Sequence, residues 1–377
     1  MKNASILDLY TDYLMASFNL ATATGMSATL EGALSHDQIS RFLGAGLAGQ
    51  KDYWKCVKSL VRRIETDDGI IKIDDTILEK PYSEENDIIC WHHDHSKKGR
   101  DKSVKGIQIV NFLYENRVHS NTISIPIAFE LIKKTEQYFD KKANKLKRRS
   151  PVSKHEMVQQ RLRILQQLNK VKFKYLLWDT WFSSAKNFKF VHHELKKYFV
   201  AALKSNRTVA LSWEDKLQGK FQKVSELDLQ EHHTKRVWLK GLDFPVLLTK
   251  QVFLNKDGSR GELYVVTNDL ELIAEAISII YQSRWNVEEL HKSLKQNVGL
   301  EKSPTKNEVT QSNHIFATMI AWTKLEMLSK LKHTNHFALK SQLYLKAVQT
   351  AFEQVQLLKQ HQLQLAAPPV NQTPLLG

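Results

Sequence analysis

A chain of 377 residues, 42% hydrophobic and 25% charged, is long enough for two or three domains and a sizeable core, which excludes wholesale disorder. Its 55 Lys and Arg against 40 Asp and Glu leave a net charge of +15, so the expected partner is a polyanion, either nucleic acid or an anionic membrane surface. Cys56 and Cys90 are the only cysteines and form no C-x-x-C pair, so a disulfide framework and a zinc ribbon are both unsupported.

The N-terminus, MKNASILDLYTDYLMASF, carries Asp8 and Asp12 where a signal peptide would be apolar, and no apolar run reaches the ~18 residues of a membrane helix. A soluble cytoplasmic protein is expected. Residues 1–66 pattern as helices. Ser35 is the expected N-cap of a helix with Ile39, Phe42 and Leu43 on one face. The next helix has a Trp54, Val57, Leu60 and Val61 stripe, with Lys55, Lys58, Arg62 and Arg63 elsewhere. Such a basic helical unit suits either a DNA-reading module or a structural cap.

Ile70 to Lys80 is short, apolar and β-branched, and predicts a buried strand. Gly106 to Asn116 and Arg117 to Glu130 predict two antiparallel strands. Lys141 to Lys154 reads as a basic loop, followed by a helix to about Asn169. KFKYLLWDTWF is the next strand, then a helix, then the strand KYFVAALKSNR. This order predicts a mixed α/β sheet. Thr208 to Gly261 reads as a small β insertion, and GELYVVTND returns to strand. One long helix is expected from Glu271 to Val298, then C-terminal helices from Glu308 to about Gln362 and a loose tail.

Three carboxylates stand out. Asp75 follows Ile71 and Ile73 on one side of its strand, with Asp74 as a rival in the same DDT triplet. Asp179 ends the apolar strand YLLWD. Each acid alone also reads as a cap or turn former. Glu288 lies in YQSRWNVEELHKSLKQ. At ~100° per residue, Tyr281, Arg284, Glu288, Lys292 and Lys295 fall in one helical arc, opposite Val287, Leu290 and Leu294. A salt-bridged surface face, with Glu288 paired to Lys292, explains the charges. It does not explain the tyrosine and tryptophan among them. Two aspartates and a glutamate suit two Mg²⁺ ions (Mn²⁺ as a substitute) for phosphodiester chemistry, with Arg284, Lys292 and Lys295 as phosphate clamps.

The spacing Tyr281, Arg284, Glu288, Lys295 resembles the Y-(2)-R-(3)-E-(6)-K signature of DDE transposases of the insertion sequence 4 family. DDT at 74–76 resembles that family's first-aspartate strand, whose acid before Thr is catalytic; this singles out Asp75. WDTWFSS at 178–184 resembles its second-aspartate strand end. The resemblance covers Ile70 to Lys295 well and the N-terminal helices loosely. It implies an RNase H-like mixed sheet flanked by helices, with Asp75, Asp179 and Glu288 catalytic and metal-binding. It implies cut-and-paste transposition through a hairpin by a homodimer on double-stranded DNA, at inverted-repeat ends and target. Tyr281, Arg284 and Lys295 would hold terminal phosphates, and Trp285 or Trp238 would stack on a flipped base, though packing suits either as well.

The resulting division is a helical DNA-binding region at 1–66, the first part of the core at 67–207, a β-rich insertion at 208–266, the glutamate helix at 267–300 and a C-terminal helical region and tail at 301–377. Asn206 and Arg207 follow a core strand and are candidate DNA contacts or simply loop residues. His92, His93 and His95 crowd Asp94, by residue type a zinc site, but Lys97, Lys98 and Arg100 favour phosphate. The Lys141–Ser150 charge run is a solvated loop or a DNA contact. Rival functions are a nuclease without strand transfer, a catalytically silent DNA-binding regulator, and a membrane-surface protein. The intact acids and signature argue against the first two. The scattered bases argue against the third.

Overall fold

A computed structural model of the chain describes residues 3–94, 102–116, 122–141, 144–254 and 258–366. Helices α1 (Asn3–Ala16), α2 (Ala23–Thr29), α3 (His36–Gly44) and α4 (Gln50–Ile64) come first. Ser35 caps α3 in a capping box with Gln38, and Ile39 and Leu43 are buried. In α4 the buried stripe is Tyr53, Val57, Val61 and Ile64, while Trp54 is only partly buried. Tyr53 can go inside because its hydroxyl donates to the Pro126 carbonyl at 2.6 Å.

Strands β1 (Ile70–Glu79), β2 (Cys90–His93), β3 (Ser103–Glu115) and β4 (Ser124–Leu131) follow, then a separate hairpin of β5 (Glu136–Asp140) and β6 (Lys145–Arg149). Next come α5 (Lys154–Arg163), β7 (Tyr175–Trp178), α6 (Ala185–Lys189) and β8 (Tyr198–Leu203). The central order β4-β3-β1-β7-β8 has β1, β7 and β8 parallel and β3 antiparallel to β1 and β4. This is the mixed, helix-flanked sheet that the resemblance implies. A Cβ on Gly106 of β3 would collide with the Leu78 carbonyl of β1, so only glycine permits that approach.

Period-2 alternation sorts the two faces of the sheet. Ile70, Tyr175, Leu177 and Val200 pack on one side; Ile71, Ile73, Leu176, Trp178 and Phe199 pack on the other, with Val158 and Leu162 of α5 and Phe188 of α6. Beyond β8 lie β9 (Thr208–Ala210), α7 (Trp213–Leu217), β10 (Gln222–Lys223), β11 (Thr234–Leu239), β12 (Val246–Leu254) and β13 (Arg260–Thr267). The segment read as a small β insertion extends the same sheet. β13 pairs antiparallel with β8, Tyr264 opposite Leu203, and so covers an apolar strand that would otherwise be an exposed edge.

Two local expectations are corrected. The basic stretch read as a loop contains β6, because Tyr138, Phe139 and Leu146 give the hairpin cross-strand pairs. The single helix expected from Glu271 to Val298 is two, α8 (Ala274–Gln282) and α9 (Trp285–Gln296). Between them the bonds tighten to i→i−3, from the Arg284 amide to Tyr281, from Asn286 to Ser283 and from Val287 to Arg284. Ile277, Ile280 and Tyr281 of α8 cover the first face of the sheet. Helix α10 (Glu308–Leu331) is buried nearly all round, against α1, α3, α4, α9 and β4. Helix α11 (His336–Ala366) ends the described chain. No helix among the described residues is long and apolar enough to cross a membrane.

Candidate active site

The parallel register of β1 and β7, Lys72 opposite Leu177, carries Asp74 and Asp179 to neighbouring strand positions. Neighbouring residues on a strand face opposite ways, so the DDT aspartates diverge. Asp74 Oδ2 accepts from Arg284 Nη1 at 3.4 Å, and Arg284 Nη2 donates to Glu288 Oε1 at 2.7 Å. Asp74 Oδ1 accepts from the Asp75 amide at 2.9 Å. Asp75 turns the other way: Oδ2 accepts from Gln108 Nε2 and from Lys154 Nζ, the latter at 3.2 Å. Lys154 Nζ lies 3.9 Å from the Trp181 ring centre, and Trp181 stacks on His155 with centroids 4.6 Å apart.

Asp179 sits where β7 ends, its Oδ1 accepting from the Trp181 amide at 3.0 Å. Ser183 Oγ ties the turn down, donating to the carbonyls of Asp179 and Ala202. A cleft of about 590 Å³ gathers Asp74, Asp75, Asp179, Gln108, Lys154, Trp181, Lys204 and Lys295 among its walls. Burial, then the Asp179 charge, pushes the Asp74 carboxyl up to about 7. Burial also raises Asp179, and Asp75 adds to it. The aspartates thus crowd negative charge into a poorly solvated place.

Hard carboxylate oxygens are the donors Mg²⁺ prefers, and a cation would relieve that crowding. Among the described residues no three acids or histidines stand close enough to hold an ion as they are. Glu288 is paired with Arg284 instead.

The signature residues part company along α8 and α9. Tyr281 is buried, its hydroxyl pushed up to about 12 by burial. Arg284 lies 5.8 Å from the Tyr281 ring centre and 5.9 Å from that of Trp285. Trp285 is 61% exposed. Lys295 reaches the cleft, donating to the Ile77 carbonyl at 3.0 Å. Lys292 does not: its ammonium faces the Phe337 ring at 4.8 Å, and Glu288 pairs with Arg284 rather than with Lys292. The break between α8 and α9 turns Tyr281 relative to the rest of the set; Lys292 and Lys295 share α9 but sit about 60° apart on it, and only Lys295 falls on the side of the cleft. Asn206 is exposed, whereas Arg207 is half-buried and donates to the Ser183 carbonyl, bracing the Asp179 turn. Trp238 is partly buried in β11, five strands from β1 and so roughly 24 Å across the sheet. His92 and His93 lie on β2, while His95 is outside the described residues.

Lys154 and Gln108 were not foreseen. Neither stands out in sequence, because each acquires its role only when α5 and β3 meet β1. The Arg284 to Asp74 link, across 210 residues, is equally silent.

The Asp74 shift has a measurable consequence. Its folded pKa, about 7, lies above the ordinary value near 4, so the folded protein keeps a proton that the unfolded chain releases. Stability contributed by this group is full below about pH 4 and is lost as pH rises towards 7. In a chelator, Asp74→Asn should melt a few degrees above wild type at pH 8 and together with it at pH 4. An equal difference at both pH values would show that Asp74 does not titrate as described.

Two family descriptions match the chain: "DDE superfamily endonuclease" over residues 2–221, more than half of it, and "Transposase DDE domain" over 147–324. Asp75 falls in the first match, Glu288 in the second and Asp179 in both. The chain is also 28% identical over 142 residues to "Putative transposase y4zB" of Sinorhizobium fredii (strain NBRC 101917 / NGR234). That stretch is 37% of this chain and 38% of the relative's length.

Proposed function

Because the chain belongs to the DDE superfamily endonucleases, we propose that it is the transposase of an insertion sequence of the insertion sequence 4 type. It cuts DNA at the inverted-repeat ends, passes through a hairpin and joins the 3′ ends to a target. The observation that carries this reading is one cleft holding Asp75 and Asp179, with Glu288 tied to its edge through Arg284 and Asp74.

Asp75, Asp179 and Glu288 would hold two divalent ions, Mg²⁺ or Mn²⁺, which activate the attacking oxygen and offset charge on the leaving one. Asp75 suits this better than Asp74. Its side-chain contacts use a single oxygen, Oδ2, whereas both Asp74 oxygens are engaged and burial favours its protonated form. Asp74 then serves as the anchor of Arg284. Arg284 Nε is buried without a partner, which suits a guanidinium that takes a DNA phosphate when it leaves Glu288. Lys154, Lys204 and Lys295 line the cleft for neighbouring phosphates, Asn206 lies exposed two residues beyond Lys204, and exposed Trp285 can stack on a base. The 1–66 helices contribute further DNA contacts.

Helix α11 supports a homodimer on DNA. Leu345, Val348, Phe352 and Val355 recur at three- and four-residue spacing and are exposed, as a helix awaiting a partner helix would leave them. The protein acts in the cytoplasm, at the nucleoid.

Duplexes ending in the element's inverted repeat test the whole reading. With Mg²⁺, hairpins and joined products should form, and chelator should stop both. Nicks without joining would favour the plain nuclease, and binding without any cut the silent regulator.

A further inference from the structure

Hairpin β5–β6 stands over edge strand β2, and the space between them is a groove of about 550 Å³. Trp91, His92 and His93 of β2 face Lys134, Tyr138, Lys145 and Lys147 across it. Trp91 is 52% exposed, with Lys105 Nζ 5.9 Å from its ring centre. Tyr138 carries Arg149 at 5.7 Å. Arg148 fixes the hairpin to the body by an ion pair of 2.8 Å with Asp87. His92 is 5% exposed, lines this groove and leaves Nε2 without a partner. The groove also adjoins the carboxylate cleft, since His93 lines both.

Flat aromatic faces interleaved with ammonium groups are what unpaired nucleotides bind: rings take the bases and cations take the phosphates. From these contacts and the continuity at His93, we propose that the groove between β2 and the β5–β6 hairpin carries a single DNA strand leaving the carboxylate cleft, with Trp91 and Tyr138 stacking on its bases. Lys134 and Lys145 attract its phosphates. This rests on the transposase reading for the presence of a cut strand, but the groove binds by its own chemistry.

The test uses the full chain with a twelve-residue oligothymidylate and, separately, a blunt 20-base-pair duplex. Trp91→Ala and Tyr138→Ala should each weaken oligothymidylate binding about tenfold and leave duplex binding within about twofold. Lys145→Ala should reduce the salt slope for oligothymidylate by about 0.7. Trp91→Phe keeps a ring and should retain most binding, and unchanged thermal melting of each variant rules out misfolding as the cause. Oligothymidylate affinity unchanged in both alanine variants would overturn the proposal, as would an equal loss for duplex and single strand. Metal-dependent nicking by wild type is scored in parallel. Nicking with no effect of either alanine variant on oligothymidylate binding sinks only the groove; an effect without nicking sinks only the transposase reading.

Discussion

Asp75→Asn is expected to lower strand cleavage about 10³-fold or more, as loss of a group acting within a catalytic unit does, while Asp74→Asn, which removes only an orienting partner, should lower it about 10–100-fold. Asparagine has nearly the shape of aspartate and can still accept from Lys154, so folding and DNA binding should survive. What it loses is the anionic oxygen that a divalent ion requires. Asp74, with one oxygen on its neighbour's amide and the other on Arg284, acts by holding the guanidinium, and asparagine retains an acceptor for that task. Glu288→Gln should match Asp75→Asn, since an amide still takes the Arg284 bond but is a poor ligand. Single-turnover cleavage of an end duplex, with binding measured separately, reads all three. If Asp74→Asn is the silent variant and Asp75→Asn cuts normally, the ligand is Asp74, and the face of the sheet bearing α8 and α9 carries the chemistry alone.

Lys72→Met should cost about 3–5 kcal/mol, the range for breaking a buried pair from one side. Lys72 is fully buried in β1, and its ammonium meets Glu115 Oε2 of β3. The same oxygen accepts from Ser124 Oγ at 3.1 Å and Asn286 Nδ2 at 2.6 Å, so one carboxylate ties β1, β3, β4 and the first turn of α9. Removing the lysine strands the Glu115 charge in the core. The pair Lys72→Met with Glu115→Leu should recover most of the loss, because well-packed apolar replacements of buried ion pairs are often neutral or better. Urea unfolding of the two variants decides. If the double variant is as unstable as the single, the loss arises from packing rather than from an orphaned charge. Asn286 lies two residues before Glu288, so the single variant should also cut more slowly at temperatures where it remains folded.

The sequence makes legible what is local or periodic. The alternation in β1, the apolar run ending at Asp179, the Ser35 cap and the amphipathic pattern around Glu288 each depend on neighbours a few residues away. The mixed, helix-flanked sheet follows from their order. Links between distant segments leave no such trace. Arg284 takes Asp74 rather than solvent because α9 packs on β1, and Lys292 lies against Phe337 because α11 follows nearby, neither of which local sequence reveals. The Lys141–Ser150 run hides a strand because its charges outnumber the tyrosine, phenylalanine and leucine that pair across the hairpin. Lys154 reads as an ordinary first-turn residue of a capped helix, and its meeting with Asp75 is a product of layer packing.

Tyr10 donates to or accepts from His314 at 2.8 Å inside the core, across 304 positions of chain. At about 5–20 residues per second, a ribosome needs roughly 15–60 s to travel from one partner to the other. During that interval α1 has no α10 to cover it, and β4 has α4 but not α10 packed against it. The carboxylate strands are already made, but the helix bearing Glu288 is not yet seated beneath α10. A chain still being synthesised therefore holds its acids apart and its apolar surfaces open, a window in which chaperones or proteases compete with the final folding step. Nonsense truncation anywhere before α10 leaves that window permanently open. Such products should be cleared rather than persist as partial proteins that occupy DNA ends.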